Sequence, residues 1–273
     1  MPATEVLVDG LDHPEGVCWD PAARVLWAGG EDGQLYRVDI EERTWEEAAR
    51  APGFVLGLAV DGRGRLAVCC QGARALCVLD AEGVRTLHDG LILPNYPAFA
   101  GDGTLYFSDS GRWGESNGRV YRLDADGTLE IFSEALCDFP NGCAVTHDDA
   151  YLWMVESHSP TLNRFDLATG EVEQVTRLEG TVPDGIAFTD DGGVVVSCYR
   201  PDRIVHIDRS GTVKTVAEDP QGTMLSAPTN VVFAGAERDR LVSANLGRWH
   251  LTLVESGLRG APLHHPTTWG ADA

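Results

Sequence analysis

Six times along the chain, a turn residue stands four places before a large apolar residue that ends an alternating run. The apolar members are Trp19, Val60, Phe99, Val145, Phe188 and Phe233, and the leading residues are Glu15, Leu56, Asn95, Asn141, Asp184 and Thr229. Successive leaders are 41, 39, 46, 43 and 45 residues apart. A period of about 40 to 45 residues with several short strands in each unit is the sequence signature of a β-propeller blade. Six such units fill the chain.

A second strand aligns in every unit and ends at Gly30-Glu31, Cys70-Gln71, Asp109-Ser110, Glu156-Ser157, Cys198-Tyr199 and Asn245-Leu246. The expected fold is therefore all-β: six four-stranded antiparallel blades around a central channel, forming a single domain over residues 1–273. The opening run, residues 4–9, has no partner in its own unit and is expected to complete the last blade beside Leu251-Thr252-Leu253-Val254, which removes a free sheet edge. Residues 260–273, with Pro262 and Pro266, read as a C-terminal tail that straps the surface or is loosely ordered. The best helix candidate is Glu41 to Ala51, although its apolar positions are few.

In a propeller the first strand of every blade lines the axis, so the six leaders should form a ring at one mouth of the channel. Glu15, Asn95, Asn141 and Asp184 then bring two carboxylates and two carboxamides to one point. A hard oxygen set of this kind suits a divalent cation. Calcium fits best because it accepts six to eight oxygens in loose geometry, with magnesium or manganese as alternatives. The ring holds no His or Cys, which argues against zinc as the preferred ion. Asn-Gly and Asp-Gly pairs such as Asn141-Gly142 and Asp184-Gly185 are common turn formers by themselves. Four oxygen donors in one register, with a glutamate that is no usual turn residue, favour a metal site.

The ends of the second strands should wall the same mouth. Asp109, Arg112, Trp113, Glu156, His158, Tyr199, Arg200, Asn245 and Arg248 are candidates there to hold a hydroxylated or carboxylated substrate. Ser157 and Ser197 lack a G-x-S-x-G elbow, so a serine-hydrolase triad has no support, and the glycine pairs carry no phosphate-binding fingerprint. A formal charge of −21 makes nucleic acid and anionic membrane poor partners. The N-terminal residues Met1 to Val6 lack the basic head and apolar stretch of a signal peptide. The seven cysteines are odd in number, without zinc-site spacing. These features lead to the expectation of a cytoplasmic protein; the oligomeric state is left open.

The motifs His13-Pro14-Glu15-Gly16, Leu93-Pro94-Asn95, Phe139-Pro140-Asn141-Gly142 and Pro183-Asp184-Gly185-Ile186 resemble those of the gluconolactonase/regucalcin (senescence-marker-protein) family, in the family's order and spacing from Leu11 to about Val254. The resemblance implies a six-bladed propeller with one divalent metal, usually calcium or zinc, on its axis. It implies Glu15, Asn141 and Asp184 as ligands, Asn95 as a fourth ligand or a substrate contact, and Asp184 as base. The family commonly has Asp after the Asn of the third blade; here that position is Tyr96, a bulky group expected to reshape the substrate pocket.

The expected activity is hydrolysis of a small lactone or ester, with the metal polarising the carbonyl and Asp184, or Glu15 where Asp184 is engaged, deprotonating a water. Three rivals share the fold: a phosphotriester hydrolase on the same metal, a non-catalytic calcium-binding or interaction propeller, and a metal-free propeller of the strictosidine-synthase type, which the four-oxygen ring disfavours.

Overall fold

The computed structural model describes residues 3–272; Met1, Pro2 and Ala273 lie outside the described residues. Twenty-four strands form six four-stranded antiparallel sheets. Blade one is β2 (Val17–Asp20), β3 (Val25–Gly29), β4 (Gln34–Asp39) and β5 (Thr44–Arg50). The strand that precedes it, β1 (Thr4–Asp9), belongs to another sheet. Blade two is β6 (Val55–Val60), β7 (Leu66–Cys70), β8 (Ala75–Asp80) and β9 (Gly83–His88). Blade three is β10 (Pro94–Phe99), β11 (Leu105–Asp109), β12 (Arg119–Leu123) and β13 (Leu129–Ser133). Blade four is β14 (Pro140–Val145), β15 (Tyr151–Glu156), β16 (Thr161–Asp166) and β17 (Val172–Arg177). Blade five is β18 (Val182–Phe188), β19 (Val194–Arg200), β20 (Arg203–Ile207) and β21 (Val213–Glu218). Blade six is β22 (Pro228–Ala234), β23 (Arg240–Asn245) and β24 (His250–Val254), completed by β1, which pairs with β24 from Thr4↔Val254 to Asp9↔His250.

The first strands of the blades, β2, β6, β10, β14, β18 and β22, touch one another around the axis, and β2 meets β22 to close the circle. Inner strands are buried on both faces because each sheet packs against a blade on either side. That is why β7 reads as the unbroken apolar run Leu66-Ala67-Val68-Cys69-Cys70, fully buried. Outermost strands keep one wet face. β5 is the extreme case, exposed along nearly its whole length. It also occupies the segment that composition favoured as a helix. Pairing with the free edge of β4, in register Val38↔Trp45 and Arg37↔Glu46, outweighs the helical tendency of its glutamates and alanines.

All seven cysteines are free thiols, and all except Cys137 are buried. Burial pushes the Cys198 thiol up to about 12, and it is inert as a nucleophile.

After β24 the chain crosses the mouth of the channel opposite the leaders. The amide of Ala261 donates to Phe188 O at 3.0 Å. His264 Nε2 lies 3.0 Å from Thr146 O, and His265 Nδ1 lies 3.0 Å from Val60 O. The strap ends on Trp269, fully buried, edge-on to Phe99 at 5.2 Å, with its indole N–H donating to Asp61 Oδ2 at 2.9 Å. Beyond it, Asp272 pairs with Arg65 at 2.7 Å. Among the described residues, no helix is long and apolar enough to cross a membrane.

Candidate metal centre at the channel mouth

Glu15, Asn95, Asn141 and Asp184 each stand at or just before the start of an inner strand, in blades one, three, four and five, and each is buried. A Pro precedes each one. Pro94, Pro140 and Pro183 lack the N–H that a continuous ladder would use, and irregular register follows directly after each of them.

The carboxamides are held by a repeated device. Asn95 Nδ2 donates to Ser110 Oγ at 2.9 Å, and that hydroxyl donates in turn to Pro140 O of the next blade at 2.7 Å. One blade further, Asn141 Nδ2 donates to Ser157 Oγ at 3.1 Å, and Ser157 donates to Pro183 O at 2.6 Å. Ser197 Oγ likewise donates to Thr229 O of the next blade, and Thr229 Oγ1 donates to Glu15 O of blade one at 2.7 Å. Because the serines occupy the Nδ2 groups, the oxygen of each carboxamide is left for something else.

Those oxygens have no partner. Glu15 Oε2, Asn95 Oδ1, Asn141 Oδ1 and Asp184 Oδ1 are all buried, and none receives a hydrogen bond from the described residues. Four buried acceptors without a donor carry a heavy desolvation cost unless a cation or a well-placed donor answers them. The electrostatics point the same way. Burial, with Asp184 close by, holds the Glu15 carboxyl well above the ordinary carboxylate range. Burial pushes Asp184 up to about 7, with the neighbouring Asn141 carboxamide pulling the other way. Two acids in a dry pocket resist ionisation because nothing in the chain itself neutralises them. A divalent cation fits this donor set.

A second acid-rich cluster differs in just this respect. Asp12, His13 and Glu31 lie close together at the rim, but His13 Nδ1 already pairs with Asp12 at 3.1 Å and Glu31 at 3.3 Å. Asp12 Oδ2 also accepts from Asp32 N and Gln34 Nε2, each at 3.1 Å, so this cluster has hydrogen-bond partners within the chain.

The profile of the SMP-30/gluconolactonase/LRE-like region matches residues 13–244. The chain belongs to this family. The pentonolactonase XacC of Haloferax volcanii is 26% identical over 263 residues, covering 90% of this chain and 86% of that protein. The lactonase drp35 of Staphylococcus saprophyticus is 24% identical, covering 77% of this chain and 71% of that one. Among solved structures, a gluconolactonase of Xanthomonas campestris superposes with a TM-score of 0.78 at 24% identity, covering 93% of this chain and 89% of that one. A calcium-binding regucalcin of Agrobacterium tumefaciens gives 0.79 at 17% identity, covering 96% and 97%. At these identities the structural likeness speaks for the six-bladed fold.

Around the ring of this SMP-30/gluconolactonase-type propeller, the ends of the second strands do lie beside the starts of the first: Pro94↔Asp109, Pro140↔Glu156, Val182↔Arg200 and Pro228↔Asn245. The residues expected there divide into two groups. Asp109, Glu156 and Asn245 are buried and committed to the backbone. Asp109 accepts from the amides of Ile92 and Leu93 at 2.8 and 2.6 Å, Glu156 from Asp138 N at 2.9 Å, and Asn245 Oδ1 from Ser226 N at 3.1 Å. These three shape the loops. Arg112, Trp113, His158 and Arg200 are exposed, and Tyr199 is half-buried. Trp113 sits edge-on to both Phe139 and His158 at 5.0 Å, and the Arg200 guanidinium lies over the Tyr199 ring at 4.7 Å. Arg248 donates to Gly222 O at 3.1 Å.

Tyr96, the departure from the family pattern, does not project into this rim. It is buried, its hydroxyl 3.5 Å from Ile186 O, and it lines the channel beneath the ring. Trp249, half exposed and edge-on to His13 at 5.5 Å, was not singled out in the sequence because it lies beyond the aligned strand end. Asn230 was missed as well: both polar atoms of its buried side chain lack partners. A signal existed, since the residue after the leader is Gly in four blades and departs only at Tyr96 and Asn230.

Proposed function

We propose that this protein hydrolyses a small lactone, of the sugar type or related to it, at the mouth formed by Glu15, Asn95, Asn141 and Asp184. The four partnerless buried oxygens carry this reading. Relatives named as lactonases in two organisms support the reaction class. The four side chains would hold one divalent cation, and their all-oxygen chemistry selects calcium ahead of magnesium, manganese or zinc. When bound, such a cation supplies Lewis-acid polarisation of a carbonyl and compensates the negative charge that develops on its oxygen.

The chain's own residues do the rest. Asp184 takes a proton from the attacking water. Glu15 serves as the alternative base and balances the charge of the site. Trp113, His158, Tyr199 and Arg200 bind the ring and hydroxyls of the substrate from the rim, and Asn95 contacts the substrate or completes the ligand set. Ser110 and Ser157 keep the carboxamide oxygens aimed at the axis.

Proton release during hydrolysis of aldonolactones and simple γ- and δ-lactones, by chelated and calcium-loaded protein side by side, tests the proposal. Acid production that needs the cation is expected, with Asp184→Asn losing at least a hundredfold in kcat while keeping its fold. No acid from any lactone with calcium bound overturns it.

A further inference from the structure

The axial channel holds a second chamber that the lactone reading does not use. Its volume is about 380 Å³, within the roughly 300–1,000 Å³ typical of small-molecule sites. The walls are the residues two, three and four places after each leader in all six inner strands, Tyr96 stands on the side of the ring, and the strap from Ala261 to His265 crosses the far side.

The sequence register explains why the space exists. Three places after each leader stand Cys18, Ala59, Ala98, Ala144, Ala187 and Val232, all of which line the chamber. A small side chain in all six blades leaves the bore open. The next position supplies Trp19, Val60, Phe99, Val145, Phe188 and Phe233, so the wall is apolar and rich in aromatic rings.

The charged groups are as selective as the apolar ones. In a chain with 42 acidic and 21 basic residues, the chamber is lined by no Asp or Glu, yet by Arg24, Arg238, His264 and His265. Neither arginine is ion-paired among the described residues. Arg238 spends Nε on Gly260 O at 2.9 Å, which leaves the rest of its guanidinium free. Arg24 is exposed, as are Pro21, Ala236 and Leu263, and these mark where the chamber opens to solvent. An apolar bore with two unanswered guanidinium groups at its opening has the polarity of an amphipathic anion.

We propose that this chamber is a binding site for an aliphatic carboxylate of medium chain length, with the tail along the small-residue ring and the carboxylate at Arg24 and Arg238. An apolar cavity of about 150 Å³ already holds benzene, so this one has room for a longer chain. The site is separate from the cation ring and does not depend on the lactonase reading.

Calorimetry with octanoate and with 1-octanol, on the calcium-loaded protein, tests it. Octanoate is expected to bind at least tenfold more tightly than the alcohol. Arg24→Asn should remove most of that preference; Asn tolerates the positive φ of 59° at this turn and keeps the fold. Ala144→Leu, which fills the bore, should abolish binding of both ligands. No binding of octanoate at millimolar concentration overturns the proposal, as does equal affinity for the alcohol or full affinity in a folded Ala144→Leu. Should Ala144→Leu fail to fold, Arg24→Asn decides alone: an unchanged octanoate preference sinks the assignment.

Discussion

At the scale of single residues, the site is governed by what its polar atoms lack. The serines fix which end of each carboxamide faces the axis, so Ser157→Ala frees Asn141 to rotate. Cation affinity is expected to fall by about tenfold, in the range seen when partners that orient ligands are removed, while secondary structure is retained; titration calorimetry measures it. A second expectation concerns pH. Asp184 is raised from 3.8 to about 7 in the cation-free fold, so between those values the native state holds a proton that the unfolded chain releases. Stability of the cation-free protein therefore falls as pH rises through that window. Asp184→Asn removes that residue's share and leaves the part due to the burial of Glu15: its melting temperature should gain on wild type from pH 4 to pH 7, and parallel curves would count against the shift. That these four residues share one register was legible, because Glu, Asn, Asn and Asp recur at equivalent places in the repeat. The roles of Ser110 and Ser157 were not, since a serine at a strand end carries no mark of which neighbouring carbonyl it will reach.

Among the strands, the seams between blades set the tolerances. Gly142, one place after Asn141, sits so close to the next blade that a Cβ there would collide with Asp184 O, and Gly16, Gly57 and Gly185 stand at the equivalent places. Gly142→Ala should cost about 1–3 kcal/mol, as overpacking does, and should weaken cation binding as well because the obstructed carbonyl belongs to a donor residue. Denaturant unfolding and calorimetry on one sample report both. The strap is anchored differently, by one large side chain. Trp269→Ala is expected to cost roughly 3–5 kcal/mol, read from denaturant midpoints. The sequence left the tail undecided between strap and loose end; prolines suit either, and only the fold reveals that Trp269 meets a slot between Phe99 and Arg65. The mistaken helix at Glu41–Ala51 has a similar cause. Its local composition is helical, but the edge of β4 needed a partner.

For the molecule as a whole, the repeat was the most legible feature, because a blade cannot bury its faces alone and six of them must close on one another. The four oxygen donors come from blades one, three, four and five, so the proposed cation would be a shared fixture of the ring rather than of any one sheet. Anything that binds only the native state raises its stability, by about 2.7 kcal/mol at a hundredfold excess over Kd. Calcium should therefore raise the melting temperature by roughly 5–10 °C in a chain of this size, and the rise should be smaller at pH 5 than at pH 8, where protons compete less for Glu15 and Asp184. Chelation should reverse it. A melting temperature indifferent to calcium at both pH values would remove the ring from the list of cation sites.

The closing strand has a consequence in time. Thr4 pairs with Val254, so β1 must wait for a partner 250 positions behind it. At about 5–20 residues per second of synthesis, that is a delay of roughly 12 to 50 s with an unpaired strand in the open. Its sequence is suited to waiting: Glu5 and Asp9 are exposed even in the finished fold, while Leu7 and Val8 are its only fully buried side chains. A charged strand is a poor template for a stranger's edge, so the segment that completes the circle is also one that a nascent neighbour would find hard to capture.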